Sequence, residues 1–126
     1  MPVIDKQKFA AALKTNALPP FGQGKCARFV RLALEAAGAD TTGHPVNAKD
    51  WGPILLHLGF KPVPEEGYTA QLGDIAVIQS TSESVPGHIE GFDGTNWVSD
   101  FVQQAFWPGP SFRKEKPAYV VYRWPV

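Results

Sequence analysis

The segment Gly22–Val30, GQGKCARFV, contains the only cysteine of the 126-residue chain and decides the fold that we predict. Cys26 follows a glycine-rich turn and begins an apolar helical pattern, so it lies at a predicted helix N-terminus. Unpaired backbone N–H groups and a partial positive charge at that position favour a thiolate and can stabilise an oxyanion. Cys26 is therefore a candidate nucleophile, although an isolated cysteine is more often a buried structural thiol.

Length and composition indicate one globular domain over residues 1–126, with 44% hydrophobic and 19% charged residues. The formal net charge is zero, which gives no electrostatic reason to expect a nucleic acid or an anionic membrane as partner. A single cysteine cannot form an internal disulfide. No segment is long and apolar enough to span a membrane, and the first residues lack a signal-peptide pattern. We therefore expect a monomer that is made in the cytoplasm without a signal peptide.

Apolar periodicity predicts three helices in the first half of the chain, over residues 5–16, 26–37 and 50–58. Asp5 is the expected N-cap of the first helix. Asn47 or Asp50 could cap the third, and we prefer Asp50, with Asn47 starting a preceding turn, because Pro53 then falls in the first turn. Gly38 and Gly59 are natural stops for the second and third helices. On the second helix Cys26 shares a face with apolar residues, which places it at the edge of the core.

From residue 60 onward the pattern changes to strands and loops. Residues 60–63 read as an edge strand because they contain a proline, and residues 74–79 read as a buried strand. Residues 87–92 and 96–101 predict a hairpin around Asp93-Gly94, and residues 118–124 predict the last strand. Residues 103–116 read as a long loop. Helices followed by antiparallel strands indicate an α+β fold, with the N-terminal helices packed on one face of the sheet.

A cysteine nucleophile needs a base within hydrogen-bond reach, and the chain offers three histidines. His44 lies in a polar loop and His57 lies within the third helix, so both are expected to be surface or core-edge residues. His88 begins a predicted strand directly after Pro86-Gly87, so its ring can stand at the rim of the sheet. We therefore take His88 as the candidate base.

Strand register suggests the residue that would orient His88. If the hairpin loop is Asp93–Thr95, His88 lies opposite Asp100, which shares its face of the sheet. A two-residue loop would instead place Ser99 opposite His88. Glu90 is the competitor, because it lies two residues along the same strand and therefore on the same face. We rank Asp100 ahead of Glu90 as the third catalytic residue.

Three motifs together resemble the papain-like peptidoglycan amidases, a superfamily that includes the NlpC/P60 and CHAP domains. They are GQGKCARFV around Cys26, the run LGDIAVI at residues 72–78, and GHI at residues 87–89. In that superfamily a cysteine opens a helix, Gly-Asp leads a central strand and Gly-His starts the next. The resemblance implies a papain-like fold with Cys26, His88 and Asp100 as the catalytic residues.

The same resemblance implies a substrate, which is the peptide stems of bacterial peptidoglycan, and a reaction that needs neither a metal nor a cofactor. Gln23 and the backbone N–H of Cys26 would stabilise the oxyanion, and Trp107 would form a wall of the substrate groove. Such a small single domain is similar to the amidase effectors of type VI secretion, which act in a rival's periplasm and have an immunity protein as partner. The alternatives are a phage lysin module, a non-catalytic cell-wall-binding module, and a papain-like protease or deamidase that acts on proteins.

Overall fold

A computed structural model describes residues 4–17 and 25–125 of the protein. The described chain contains four α-helices and one five-stranded sheet in which every paired neighbour is antiparallel. The helices are α1 (Lys6–Asn16), α2 (Cys26–Ala36), α3 (Gly52–Leu58) and α4 (Pro110–Glu115). The strands are β1 (Lys61–Val63), β2 (Ile75–Ile78), β3 (His88–Phe92), β4 (Trp97–Val98) and β5 (Tyr119–Arg123), in the sheet order β1-β5-β2-β3-β4. The predicted α+β fold is confirmed.

The first two helices begin where the sequence predicts. The Asp5 carboxylate accepts hydrogen bonds from the backbone N–H groups of Gln7 and Lys8, each at 3.0 Å, and so caps α1. Helix α2 ends at Ala36, and Gly38 follows with a left-handed φ of 103°. The apolar face of α2 lies in the core, and Cys26 packs at the edge of that core.

The third helix begins later than predicted. A 3-10 turn over Ala48–Asp50 precedes α3, and its N-cap is Asn47. Trp51 is the N-cap of α3, so the prediction that Asp50 caps this helix is wrong. Pro53 falls in the first turn, where its missing N–H costs no intrahelical hydrogen bond. Trp51, which lies between the turn and the helix, is fully buried.

One face of the sheet packs against α1 and α2. Ile89 on β3 points toward this face together with alternate residues of β2, and all of them join the main core cluster. Gly91 lies on the same face, directly beneath α1. A Cβ at that position would come within 2.7 Å of Phe9 Cζ and 2.8 Å of Leu13 Cδ1. Glycine at residue 91 therefore allows α1 to pack directly on β3.

The opposite face of the sheet carries His88 and Glu90, which alternate with Ile89 and Gly91 along β3. The chain between β4 and β5 covers this face. Phe106 from this segment packs against Trp97 and Tyr119, and α4 places Phe112 beside the His88 ring. Helix α4 corrects the prediction of a continuous loop over residues 103–116. Its start is a proline at the first helical position after Gly109.

The hairpin between β3 and β4 has a longer loop than predicted. Phe92 pairs with Trp97, so four residues connect the strands, and β4 is only two residues long. The predicted register, which placed Asp100 opposite His88, is therefore wrong, and so is the alternative that placed Ser99 there. The Asp93 carboxylate accepts hydrogen bonds from the N–H groups of Thr95 and Asn96, which stabilises the longer loop.

Candidate active site

Cys26 is the first residue of α2, and its side chain contacts the start of β3. The thiol is hydrogen-bonded to the His88 side chain, and the sulfur accepts a hydrogen bond from the Ile89 backbone N–H. Burial opposes ionisation of Cys26, but the hydrogen bond to His88, the positive charge of His88 and the Ile89 N–H together lower the pKa of the thiol below its ordinary value. The structure therefore brings together the two residues that the sequence separates by about sixty positions.

Gly87 sets the position of His88. Its φ of 73° lies in the left-handed region, and a Cβ there would lie 2.5 Å from the Ile78 carbonyl oxygen. The preceding residue is fixed as well, because the Lys49 N–H donates to the Pro86 carbonyl at 2.9 Å. Only glycine fits this close approach, so the Pro-Gly turn delivers the imidazole to the edge of the sheet beside Cys26.

His88 is almost completely buried, with 7% of its surface exposed. Its Nε2 lies 2.9 Å from the side-chain oxygen of Gln103 and 3.3 Å from Glu90 Oε1. Burial alone would lower the pKa of His88, but hydrogen bonds and charge interactions with Cys26 and Glu90 raise it to about 10. A lowered thiol pKa beside a raised imidazole pKa favours a thiolate–imidazolium pair.

Gln103 determines which way the His88 ring is protonated. Its amide nitrogen donates to Glu90 Oε1 at 2.9 Å and to the backbone carbonyl of Ala105 at 3.0 Å, so its oxygen must face His88. The His88 Nε2 therefore carries a hydrogen and donates it to Gln103. This assignment leaves Nδ1 to face Cys26. The sequence gives no signal for Gln103, because this residue lies in the irregular segment between β4 and α4, whose path over the sheet has no local pattern.

Glu90 is the carboxylate that contacts the imidazole. The residue is fully buried, and its Oε1 is shared by Gln103 and His88. Its Oε2 has no hydrogen-bond partner among the described residues. Burial raises the pKa of Glu90, while His88 and Gln103 act in the opposite direction. The sequence raised Glu90 as a competitor to Asp100 because strand periodicity places it on the same face as His88.

Asp100 follows the two paired residues of β4 along the chain, and its side chain lies beside the N-terminus of α2. Its Oδ2 accepts the Lys25 backbone N–H at 3.1 Å, and Ser99 Oγ lies 3.4 Å from its Oδ1. The negative charge of Asp100 acts to raise the pKa of the Cys26 thiol. Asp100 is thus buried next to the nucleophile, whereas the carboxylate at His88 Nε2 belongs to Glu90.

The remaining predicted site residues have different outcomes. Gln23 lies outside the described residues. Trp107 packs against Phe106 and Tyr119 and lines a cavity of about 420 Å³ that also includes Gln103 and Arg113. His44 and His57 are exposed, as the sequence predicts for them.

Among residues 4–17 and 25–125, no group of three or more His, Cys, Asp and Glu side chains could hold a metal ion. None of the described helices has both the length and the apolar character that crossing a membrane requires.

Comparison with known proteins gives two close structural matches. A chain of the native type VI effector–immunity complex Tae3–Tai3 from Ralstonia pickettii is 37% identical, with a TM-score of 0.88, and the match covers 95% of this chain and 98% of that one. A chain of the selenomethionine form of the same complex is 38% identical, with a TM-score of 0.84, and the match covers 91% and 98%.

No protein-family model matches the sequence. No curated protein matches it either. Membership of the NlpC/P60 and CHAP superfamily therefore stays a prediction, while the papain-like fold is established by the structural match. At this identity and coverage, the chain belongs to the Tae3 family of type VI effectors.

Proposed function

We propose that this protein is a cysteine amidase that cleaves amide bonds in the peptide stems of bacterial peptidoglycan and acts as an antibacterial effector. The observation that carries this proposal is the hydrogen bond between Cys26 and His88 at the N-terminus of α2. A half-buried thiol with a lowered pKa beside an imidazole with a raised pKa has the properties of an activated nucleophile and its base. The membership of the Tae3 family supports the effector role.

The reaction has two steps. The Cys26 thiolate attacks the amide carbonyl carbon, and the electron pair of the C=O bond moves to the oxygen as an oxyanion. Collapse of this intermediate breaks the C–N bond, and the His88 imidazolium gives its proton to the leaving amine. The product is a thioester on Cys26. Water then attacks the thioester carbonyl while His88 accepts a proton, which releases a carboxylic acid and restores the thiolate–imidazolium pair.

The backbone N–H of Cys26 is the candidate oxyanion donor, because the first N–H groups of a helix have no intrahelical acceptor. Gln23 is a second candidate donor from the sequence.

His88 needs a fixed orientation, and two residues supply it in this proposal. Gln103 accepts the hydrogen of Nε2, and Glu90 contributes negative charge that stabilises the imidazolium. Asp100, which the sequence ranked first, has another role in the proposal. It accepts the Lys25 N–H and so holds the start of α2, from which Cys26 projects.

The structural neighbours support a biological setting for the proposed activity. Their crystals contain an effector bound to an immunity protein. We infer that this protein is exported, reaches the cell wall of a competing bacterium, and is neutralised in its producer by an immunity protein of its own.

The decisive experiment incubates purified peptidoglycan with the wild-type protein and with Cys26→Ala, Cys26→Ser and His88→Ala. We expect the wild type to release peptides with new amines, and each variant to lose about 10³-fold or more of that rate. His57→Ala is the matched control, since His57 is an exposed histidine on α3 and should keep full activity. Mass spectrometry of the products identifies the cleaved bond.

Three results would contradict the proposal. Full activity in Cys26→Ala would exclude the thiol as nucleophile. Binding to peptidoglycan with no hydrolysis by the wild type would support a non-catalytic cell-wall-binding module. Cleavage or deamidation of casein without release of wall peptides would support an enzyme that acts on proteins.

A further inference from the structure

We propose that a basic groove beside Cys26 binds a free carboxylate of the substrate, with Arg28 as its principal ligand. This inference rests on the proposed function and specifies the substrate class for the same site. The groove, called here the α2 groove, is the pair of adjoining cavities along the first turns of α2. It begins at the nucleophile and extends toward His44 and Trp51.

The two cavities adjoin each other, since they share part of their lining. The first has a volume of about 210 Å³ and includes Cys26 in its wall. The second has a volume of about 310 Å³ and ends at His44, whose ring stacks on Trp51 with 5.7 Å between ring centroids. Arg28 and Val46 line both cavities, and Val46 is 92% exposed. A substrate attacked by Cys26 therefore has an adjoining groove for the group beside its scissile amide.

The charged side chains that line the α2 groove are basic. They are Lys25, Arg28 and Arg31, of which Arg31 is paired with Glu35 at 3.1 Å, and none of the described residues that line the groove is acidic. The protein as a whole has no net charge, so this excess is local. Clefts lined by charge of one sign raise the local concentration of the opposite charge, which here is an anion.

Arg28 is the residue best placed to contact that anion. Arg31 already forms an ion pair with Glu35 at 3.1 Å. Arg28 is exposed and forms no ion pair or hydrogen bond with any residue in the described ranges. A guanidinium binds a carboxylate through two parallel hydrogen bonds, and such charge-assisted bonds are about twice as strong as neutral ones.

A carboxylate is the anion that a stem peptide offers. A stem residue that has two carboxyl groups and is linked through one of them retains the other near its amide bonds. The α2 groove would hold this carboxylate while the adjacent amide carbonyl lies at Cys26. Recognition of the free acid would make the enzyme discriminate against stems in which that acid is amidated.

The test compares muropeptides with the same muropeptides after their carboxylates have been converted to carboxamides. We expect the wild type to cleave the free acid with a kcat/KM about tenfold or more above that of the amide. Arg28→Gln should lose about tenfold on the free acid, mainly through a higher KM, and change little on the amide. Arg28→Lys should recover part of the loss. Lys61→Gln, which removes an exposed cation on the edge strand β1, is the control and should match the wild type.

The outcomes separate this inference from the proposed function. Equal cleavage of both substrates by the wild type, or an equal loss on both in Arg28→Gln, would overturn the carboxylate site and leave the amidase intact. A wild type that cleaves neither substrate would overturn the amidase and the carboxylate site together.

Discussion

Among the described residues two carboxylates are fully buried, and they differ in how completely they are hydrogen-bonded. Asp74, directly before β2, accepts hydrogen bonds from Tyr68 Oη at 2.7 Å, from the Gln71 N–H at 3.0 Å, and from Arg123 Nε and Nη2 at 2.8 and 2.9 Å. Glu90, on β3, shares one oxygen between His88 and Gln103, and its other oxygen has no partner among the described residues.

The difference indicates that one buried carboxylate stabilises the fold and the other is available for chemistry. A buried carboxylate that is fully hydrogen-bonded stabilises a single arrangement, and Asp74 ties the segment before β2 to the last strand. A buried carboxylate with an unsatisfied oxygen costs free energy, and such groups concentrate at functional sites. We therefore expect substitutions at Asp74 to change stability and substitutions at Glu90 to change activity.

The largest expected effect is the loss of stability in Asp74→Ala. The substitution leaves the Tyr68 hydroxyl and the Gln71 N–H without their acceptor and removes the partner of Arg123, whose side chain is 26% exposed. The free energy of unfolding should fall by about 3 kcal/mol, as measured by urea denaturation. Activity per folded molecule should stay at the wild-type level. Asp40→Ala, which removes an exposed carboxylate that accepts hydrogen bonds from Thr42, is the control and should change stability far less than Asp74→Ala.

Equal stability of the Asp74 and Asp40 variants would show that the hydrogen bonds around Asp74 contribute no net stability. The contrast between the two buried carboxylates would then have no energetic basis.

The next effect is the loss of activity in Glu90→Gln. The amide keeps the shape of the side chain but removes the negative charge that stabilises protonated His88. We expect kcat/KM to fall about 100-fold, which equals about 2.7 kcal/mol, while the free energy of unfolding stays within about 1 kcal/mol of the wild type. If the variant were strongly destabilised but fully active, Glu90 would stabilise the fold as Asp74 does and would have no role in activity.

The pH profile of the same variant separates an electrostatic role from a packing role. Wild-type activity should rise with pH as the Cys26 thiol ionises, at a pH below the ordinary thiol pKa, and fall again as His88 loses its proton near pH 10. Glu90 raises the pKa of His88, so loss of the Glu90 charge should lower the pH at which activity falls on the alkaline side of the profile. An alkaline limb that does not move would contradict the electrostatic role.

The predicted and the observed elements together show which parts of the protein could be predicted from the sequence. Local signals gave α1 and α2 with their boundaries, because the Asp5 cap and the glycine after α2 act within a few residues of the helix ends. The contact between Cys26 and His88 could be predicted because each residue follows a glycine-containing segment of the sequence at the start of an element. The α+β architecture followed from the order of the periodic segments.

The contacts of His88 could not be predicted in the same way, because they depend on loop geometry. A hairpin loop one residue longer than expected changes every pair that follows, and this removed Asp100 from the position opposite His88. Gln103 contacts His88 only because the chain folds back over the sheet after β4. Helix α4 was the one missed element with a readable signal, since Gly109-Pro110 is a helix start with proline at the first position.

The smallest expected effect concerns a single hydrogen bond of Asp74, the one that Tyr68 donates. Burial and the neighbouring Asp74 carboxylate raise the pKa of Tyr68, so its hydroxyl stays a donor at neutral pH. Tyr68→Phe removes that donor but leaves Asp74 with the Gln71 N–H and Arg123, and should lower the free energy of unfolding by about 1 kcal/mol. Tyr119→Phe is the matched control, because the Tyr119 hydroxyl has no hydrogen-bond partner among the described residues. The expected result is a lower urea midpoint for Tyr68→Phe, with an unchanged m value and unchanged activity. The same midpoint shift in both variants would mean that the hydroxyl acts through general packing, and that the stability of Asp74 comes from Arg123 and the backbone alone.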